Sequence, residues 1–219
     1  MVSDALNVPF PRNRLPILGT SVLHGHMMHS WNLRNVVVVW RDGRDVLISL
    51  YFHSLFVNNK SSNIVLVNKF RKDLDFADYD DVKANLCQFM EYVFERKRFT
   101  RYSWSDFVNK WHGNFKYVHV RYEDMLRNAE DELARAINSL VISDVDKDQI
   151  SSIVDRYSFE NMSGRKAGDE NARSFMRKGI SGDWKNYFDR EDRELFNQYA
   201  GKELELLDYE ADARWVDQD

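Results

Sequence analysis

The run SFMRKGISGDWKNYF sets Arg177 and Lys178 side by side against Gly179 and fits neither helical nor strand periodicity. Two adjacent cations beside a glycine suit an anion, held by charge and by backbone N–H groups that a residue without Cβ lets come close. A further cation, Arg41, follows the apolar run NVVVVW, and Ser49 lies two turns into the helix predicted after it. In open α/β sheets ligands collect beyond the carboxyl ends of strands, and anions favour the N-terminus of the next helix. Tyr122 holds the equivalent place after a second apolar run, in RYEDM, where its ring can stack on a base or close the core. Each charge-assisted hydrogen bond to a phosphate contributes about 1.5–3 kcal/mol, so three or four that converge give useful nucleotide affinity. Spacing leaves convergence open, and the bland alternative is that Arg41, Asp42, Arg44 and Asp45 form a solvated charged turn with Ser49 as filler.

These residues need elements to hold them. NVVVVW, residues 35–40, is β-branched and apolar without alternation, the pattern of a parallel strand covered on both faces. VLISLYFHSLF follows as a helix capped by Asp45, with Ile48, Tyr51 and Phe52 on its inward stripe. YDDVKANLCQFMEYVFERKRF reads as a long amphipathic helix carrying Leu86, Phe89, Met90 and Val93 at three and four spacing. SWSDFVNKWHG is a short helix stopping at Gly113, FKYVHV at 115–120 is the second strand, and RYEDML is its exit loop. NAEDELARAINSL, capped by Asn128, and DKDQISSIVDRYSF are further helices, and DREDRELFNQYAGKELELL closes the chain as a helix capped by Asp189. Residues 163–173 read as a charged, glycine-rich mobile loop, and the prolines of residues 1–16 leave that segment irregular. Strands alternating with helices imply an α/β fold, a parallel sheet flanked by helices. With two secure strands and PILG as a third candidate, part of the sheet is expected to lie outside this chain.

Composition bounds the reading. The 219 residues are 43% hydrophobic and 30% charged, enough for a sizeable core in one domain spanning residues 1–219, with 1–13 irregular. A net charge of −4 gives no overall positive field for a phosphate backbone, so nucleic acid is not an expected partner and any anion site is local. The single cysteine, Cys87, excludes an intrachain disulfide and reads as a small buried apolar residue. No apolar h-region opens the chain, and no apolar run nears the roughly 20 residues that cross a bilayer, so a cytoplasmic protein without a membrane partner is expected if Met1 is the true start.

In this order, VVVVWRDGRDVLISLYFH, FKYVHVRYEDML and FMRKGISGDWKNYF resemble the sulfotransferases that use 3′-phosphoadenosine 5′-phosphosulfate (PAPS) as donor. The resemblance runs from about residue 14 to the C-terminus, and RKG followed by GDWK is its most specific block. It implies a P-loop NTPase-like fold without a metal, in which Arg41 and Ser49 bind the 3′-phosphate from one side and Arg177, Lys178 and Gly179 from the other. It implies that Tyr122 lies near the adenine, that Tyr157 replaces an adenine-bordering threonine, and that Trp184 anchors its loop to the core. Phe159 and Phe175 fall beside that pocket by position and are expected to pack, as are Trp104 and Trp111.

The family's first strand leads into a loop like PKSGTTW, whose lysine and backbone N–H groups hold the 5′-phosphosulfate. No such segment precedes residue 14, and LGTSVL at 18–23 has Gly19, Thr20 and Ser21 but no lysine. The better alignment makes LPILGTSVLHGHMMHSW the segment where the family carries its histidine base, with His24 first candidate and His26 second. An imidazole titrating near about pH 6.5 suits removal of a proton from an acceptor hydroxyl. The family's dimerisation segment would begin near Lys185, but Asp189 and Arg190 replace its threonine-valine pair, so no oligomeric state is carried over. The leading expectation is sulfuryl transfer from PAPS, with release of 3′-phosphoadenosine 5′-phosphate (PAP), to a hydroxyl or amine of a small-molecule or carbohydrate acceptor. The alternative is a non-catalytic nucleotide-binding or interaction protein that lacks the phosphosulfate loop. A P-loop kinase ranks last because GxxxxGK[ST] is absent.

Overall fold

The computed structural model describes residues 1–11, 20–25, 35–58, 63–95, 102–114, 116–140 and 146–218. In chain order these form α1 (Val2–Ala5), β1 (Val37–Trp40), α2 (Gly43–Leu55), α3 (Ile64–Asp73), α4 (Val82–Glu95), α5 (Trp104–Trp111), β2 (Val118–Arg121), α6 (Tyr122–Arg127), α7 (Ala129–Leu140), α8 (Lys147–Arg156), α9 (Phe159–Ser163) and α10 (Arg190–Leu206). Short 3₁₀ turns cover Asp183–Asn186 and Ala213–Asp217. The elements fall into two compact units interleaved along the chain, Met1–Arg41 with Gly113–Ala167, and Asp42–His112 with Gly168–Asp219.

The first unit holds the sheet. Strands β1 and β2 pair in parallel, from Val37 opposite Val118 to Trp40 opposite Arg121. Val118 and Val120 are buried beneath Ala136 of α7, while the alternate residues His119 and Arg121 are half-buried. Burial on both faces, expected for the valine run, is not found: Val38 and Trp40 on one face are buried, but Val39 on the other is 57% exposed. Trp40 donates its indole N–H to Nδ1 of His119 at 2.9 Å, and the two rings stack. That bond fixes Nδ1 as the acceptor and leaves Nε2, 3.0 Å from the Asn114 carbonyl, as the donor. RYEDML is not an exit loop. It is α6, because Tyr122 can follow β2 directly with Glu123 and Asp124 in a first turn that favours acids.

A second cluster in this unit, Leu133, Ile137, Ile150 and Ile153 of α7 and α8, is covered by Val2 and Ala5 of α1. No element was expected there. The prolines lie beyond α1, and Asp4 ties it to α8 by accepting from Arg156 and from the Tyr157 hydroxyl, each at 3.1 Å. The strand candidate PILG lies outside the described residues.

The second unit packs α2, α3, α4 and α10 around Tyr51, Phe70, Phe89, Phe196 and Leu204. The stretch between α2 and α4, for which the sequence suggested no element, contains α3, whose inward residues are Val67 and Phe70. Helix α2 begins earlier than expected. Its cap is Asp42, which accepts the Arg44 N–H at 2.9 Å, and Asp45 lies inside the first turn. Ser103 with Asp106, and Asp189 with Asp192, form reciprocal capping boxes that start α5 and α10. Gly43 lies so close to Trp104 that an added Cβ would sit 2.7 Å from the indole. Cys87 is not fully buried: it is half-buried on α4 and donates its S–H to Asp192 on α10 at 3.2 Å.

Candidate functional site

The start of α2 is a clasp. Asp45, 1% exposed, accepts the N–H groups of Gly182 at 2.7 Å and Trp184 at 3.0 Å. Arg44, 2% exposed, pairs with Asp42 at 2.7 Å and Glu210 at 2.5 Å, its guanidinium lying over the rings of Trp184 and Trp215. The solvated charged turn considered from sequence is therefore replaced, at Asp42, Arg44 and Asp45, by buried charges with fixed partners. Each such group tolerates burial only because its hydrogen bonds are made. Trp184 is buried against Phe188 and Trp215, so it anchors the GDWK turn.

That clasp positions the cation pair. Arg177 donates through Nη2 to Asp183 and through Nη1 to Glu170 at 2.5 Å. Lys178 Nζ lies 2.6 Å from Asp183 and 3.4 Å from Glu170. Burial alone pulls both cations' pKa values down, but hydrogen bonds to Asp183, and in Arg177 to Glu170 also, more than offset it, so both rise. Burial pushes the Asp183 carboxyl up, and bonds from Lys178, Arg177 and Asn186 bring it below its ordinary value. Gly179 follows with φ at 69°, a left-handed backbone that a side chain would strain. Residues 168–178 are tied at their base, Gly168 N–H donating to the Lys178 carbonyl at 2.9 Å and Asn171 N–H to that of Arg177 at 3.0 Å.

The Arg177 guanidinium lies 4.6 Å over the ring of Phe52 on α2. Ser49 is one helical turn before Phe52, on the same helix face and half-buried. Two motifs far apart in sequence thus touch within this unit, where Arg177 of the last lies on Phe52, one helical turn from Ser49 of the first. In the other unit, Arg41 leaves β1 with its guanidinium 4.5 Å over the ring of Tyr122. Tyr122 is half-buried at the head of α6, so it does not close the core. His24 is exposed in that unit, whereas His26 and His29 lie outside the described residues.

Other expectations shift. Tyr157, in the place of the threonine, binds Asp4. Phe175 does not pack inward: it is 63% exposed, its ring edge-on to His53. Phe159 is half-buried under the Arg165 guanidinium. Sequence reasoning missed Asp183, Glu170 and Tyr187 around the cations. Asp183 could have been found from its place in GDWK, but nothing local marks Glu170.

A family model of the sulfotransferase domain matches residues 13–208. This chain belongs to the sulfotransferase family. Among the relatives of this sulfotransferase chain is the amine sulfotransferase of Oryctolagus cuniculus, 25% identical over 191 residues that cover 79% of this chain and 55% of the relative. Sulfotransferase 1C2 of Homo sapiens is 30% identical over 116 residues, 47% of this chain and 39% of that one. The chain thus spans about half or less of the length of these relatives. The crystal structure of mouse sulfotransferase SULT7A1 complexed with PAP superposes with a TM-score of 0.56 at 20% identity, covering 83% of this chain and 61% of that chain. This likeness gives the sulfotransferase chain the family's P-loop-like α/β fold. Among its described residues no helix is long and apolar enough to cross a membrane.

Proposed function

We propose that this sulfotransferase chain holds PAPS and serves transfer of a sulfuryl group to a hydroxyl or amine of a small-molecule or carbohydrate acceptor. The observation that carries the reading is Arg177 lying over Phe52, one turn from Ser49, with Lys178 and Gly179 beside it. A hydroxyl, a guanidinium, an ammonium and a left-handed glycine form a donor set suited to the 3′-phosphate. Arg41 and Tyr122 are proposed as further ligands of phosphate and adenine from their motifs. The family match running through both interleaved units supports treating residues 1–219 as one sulfotransferase-like domain.

When bound, PAPS supplies the activated sulfuryl group. The chain's own residues hold and orient the nucleotide, and His24 takes up the proton released by the acceptor oxygen or nitrogen. A cytoplasmic setting fits a chain with one thiol and no disulfide partner.

Calorimetric titration with PAP tests the reading. Arg177→Ala, Ser49→Ala and Arg41→Ala should each weaken binding, the arginine variants by about tenfold or more. Unaltered affinity in both arginine variants would remove the site. PAP binding with no transfer to hydroxyl or amine acceptors in a radiolabelled PAPS assay would favour a non-catalytic nucleotide-binding protein.

A further inference from the structure

Arg177 and Lys178 hold two carboxylates of unlike character. Asp183, with its side chain 1% exposed, also accepts from Asn186 at 2.8 Å and belongs to the turn that Asp45 secures. Glu170, with its side chain 32% exposed, comes from the segment between the backbone ties at Gly168 and Asn171. Its two oxygens face three donors: Arg177 Nη1 at 2.5 Å, Lys178 Nζ at 3.4 Å and the Tyr187 hydroxyl at 3.2 Å. A pair of oxygens bridging a guanidinium, an ammonium and a hydroxyl is the arrangement two oxygens of a phosphate would take.

We propose that Glu170 is a built-in competitor for the phosphate, occupying the donors of Arg177 and Lys178 until an incoming phosphoryl group displaces it. The proposal rests on the phosphate-binding reading of these cations. Charge decides which carboxylate leaves. Two cations and two carboxylates sum to zero, so the cluster offers a dianion little attraction while Glu170 is in place. Asp183 is buried among three donors and cannot leave without stranding its charge, whereas Glu170 can turn out into water. A phosphate brings more charge and a third oxygen to the same donors, which allows it to win at the expense of part of its affinity. Tyr187, which bonds to Glu170 and lies 3.4 Å from Arg177 Nη1, can hand its O–H to the phosphate.

The test compares wild type, Glu170→Gln and Glu170→Ala by titration with PAP and, separately, with inorganic phosphate. Hydrogen exchange is followed at the Gly168 and Asn171 amides. Both variants should bind PAP and phosphate about tenfold more tightly than wild type. Phosphate should speed exchange at the two amides in wild type, while the variants exchange fast from the start. Equal or weaker affinity in both variants, with Arg177→Ala still weakening binding about tenfold or more, overturns the proposal. Failure of PAP to bind any form, with phosphate still favouring the variants, would sink the nucleotide reading and leave the competitor standing. No difference between wild type and variants with either probe overturns the competitor itself.

Discussion

The Asp45 carboxylate accepts the main-chain N–H of Trp184 at 3.0 Å, joining the first turn of α2 to the turn that follows the cation pair. A second bond, from Gly182 N–H at 2.7 Å, makes the contact two-pronged and orients the GDWK turn rather than merely touching it. Asp45→Ala should destabilise the protein by about 3 kcal/mol, since two charge-assisted bonds are lost and the N–H groups of Gly182 and buried Trp184 are left bare. Asp45→Asn, keeping one acceptor, should lose roughly half as much. Urea unfolding followed by tryptophan fluorescence measures both.

Gly43 and Gly182 should respond differently to alanine. Replacing glycine by alanine in a helix normally stabilises by up to about 1 kcal/mol, but at Gly43 the new methyl would meet the Trp104 ring at 2.7 Å. Overpacking should win, giving a net loss of about 1–3 kcal/mol. At Gly182 nothing lies within 4 Å, so only the left-handed φ of 75° counts and the loss should be about 1 kcal/mol. A Gly43→Ala protein as stable as wild type would show that Trp104 has room to move.

Asp183→Asn should be costly. It removes the buried anion shared by Arg177 and Lys178 and leaves Glu170 to balance both, for an expected loss of about 3 kcal/mol at neutral pH. The folded-state pKa of Asp183 lies below its ordinary value, so its stabilisation is present above about pH 4 and lost as pH falls through that folded value. Acid unfolding curves of variant and wild type should therefore converge at low pH.

Asp192 has the opposite sign. Burial, only partly offset by the Asp189 N–H and the Cys87 thiol, raises its pKa to about 6. The folded protein therefore holds this proton more tightly than the unfolded chain. Its contribution is greatest below about pH 4 and is lost as pH rises through about 6. Asp192→Asn should flatten the stability profile between those values, as read by thermal unfolding at stepped pH.

Tyr122 offers its ring face to Arg41 at 4.5 Å. Tyr122→Phe keeps that face and should leave PAP affinity within about twofold. Tyr122→Leu removes it and should weaken binding about fivefold, the worth of roughly 1 kcal/mol of cation–π attraction. Equal losses in the two variants would assign the effect to the hydroxyl.

The strands at Val37–Trp40 and Val118–Arg121, the amphipathic helices, and the cap at Asp189 were legible because periodicity and capping act within a few residues of chain. A local cation pair beside a left-handed glycine was legible in Arg177, Lys178 and Gly179 because residue type alone carries charge and backbone freedom. Helices α3 and α6 were not, since short segments take their conformation from packing more than from propensity.

The sequence by itself determined which residues could meet a phosphate and which element each would ride on. Only the tertiary structure decided that Asp45 would grip a turn 137 residues away, that Arg177 would lie over Phe52 beside Ser49, and that Glu170 would share its cations with Asp183. Charge and periodicity belong to single residues and their near neighbours. Which carboxylate reaches which cation depends on burial and on the convergence of distant segments, and no spacing along the chain encodes either.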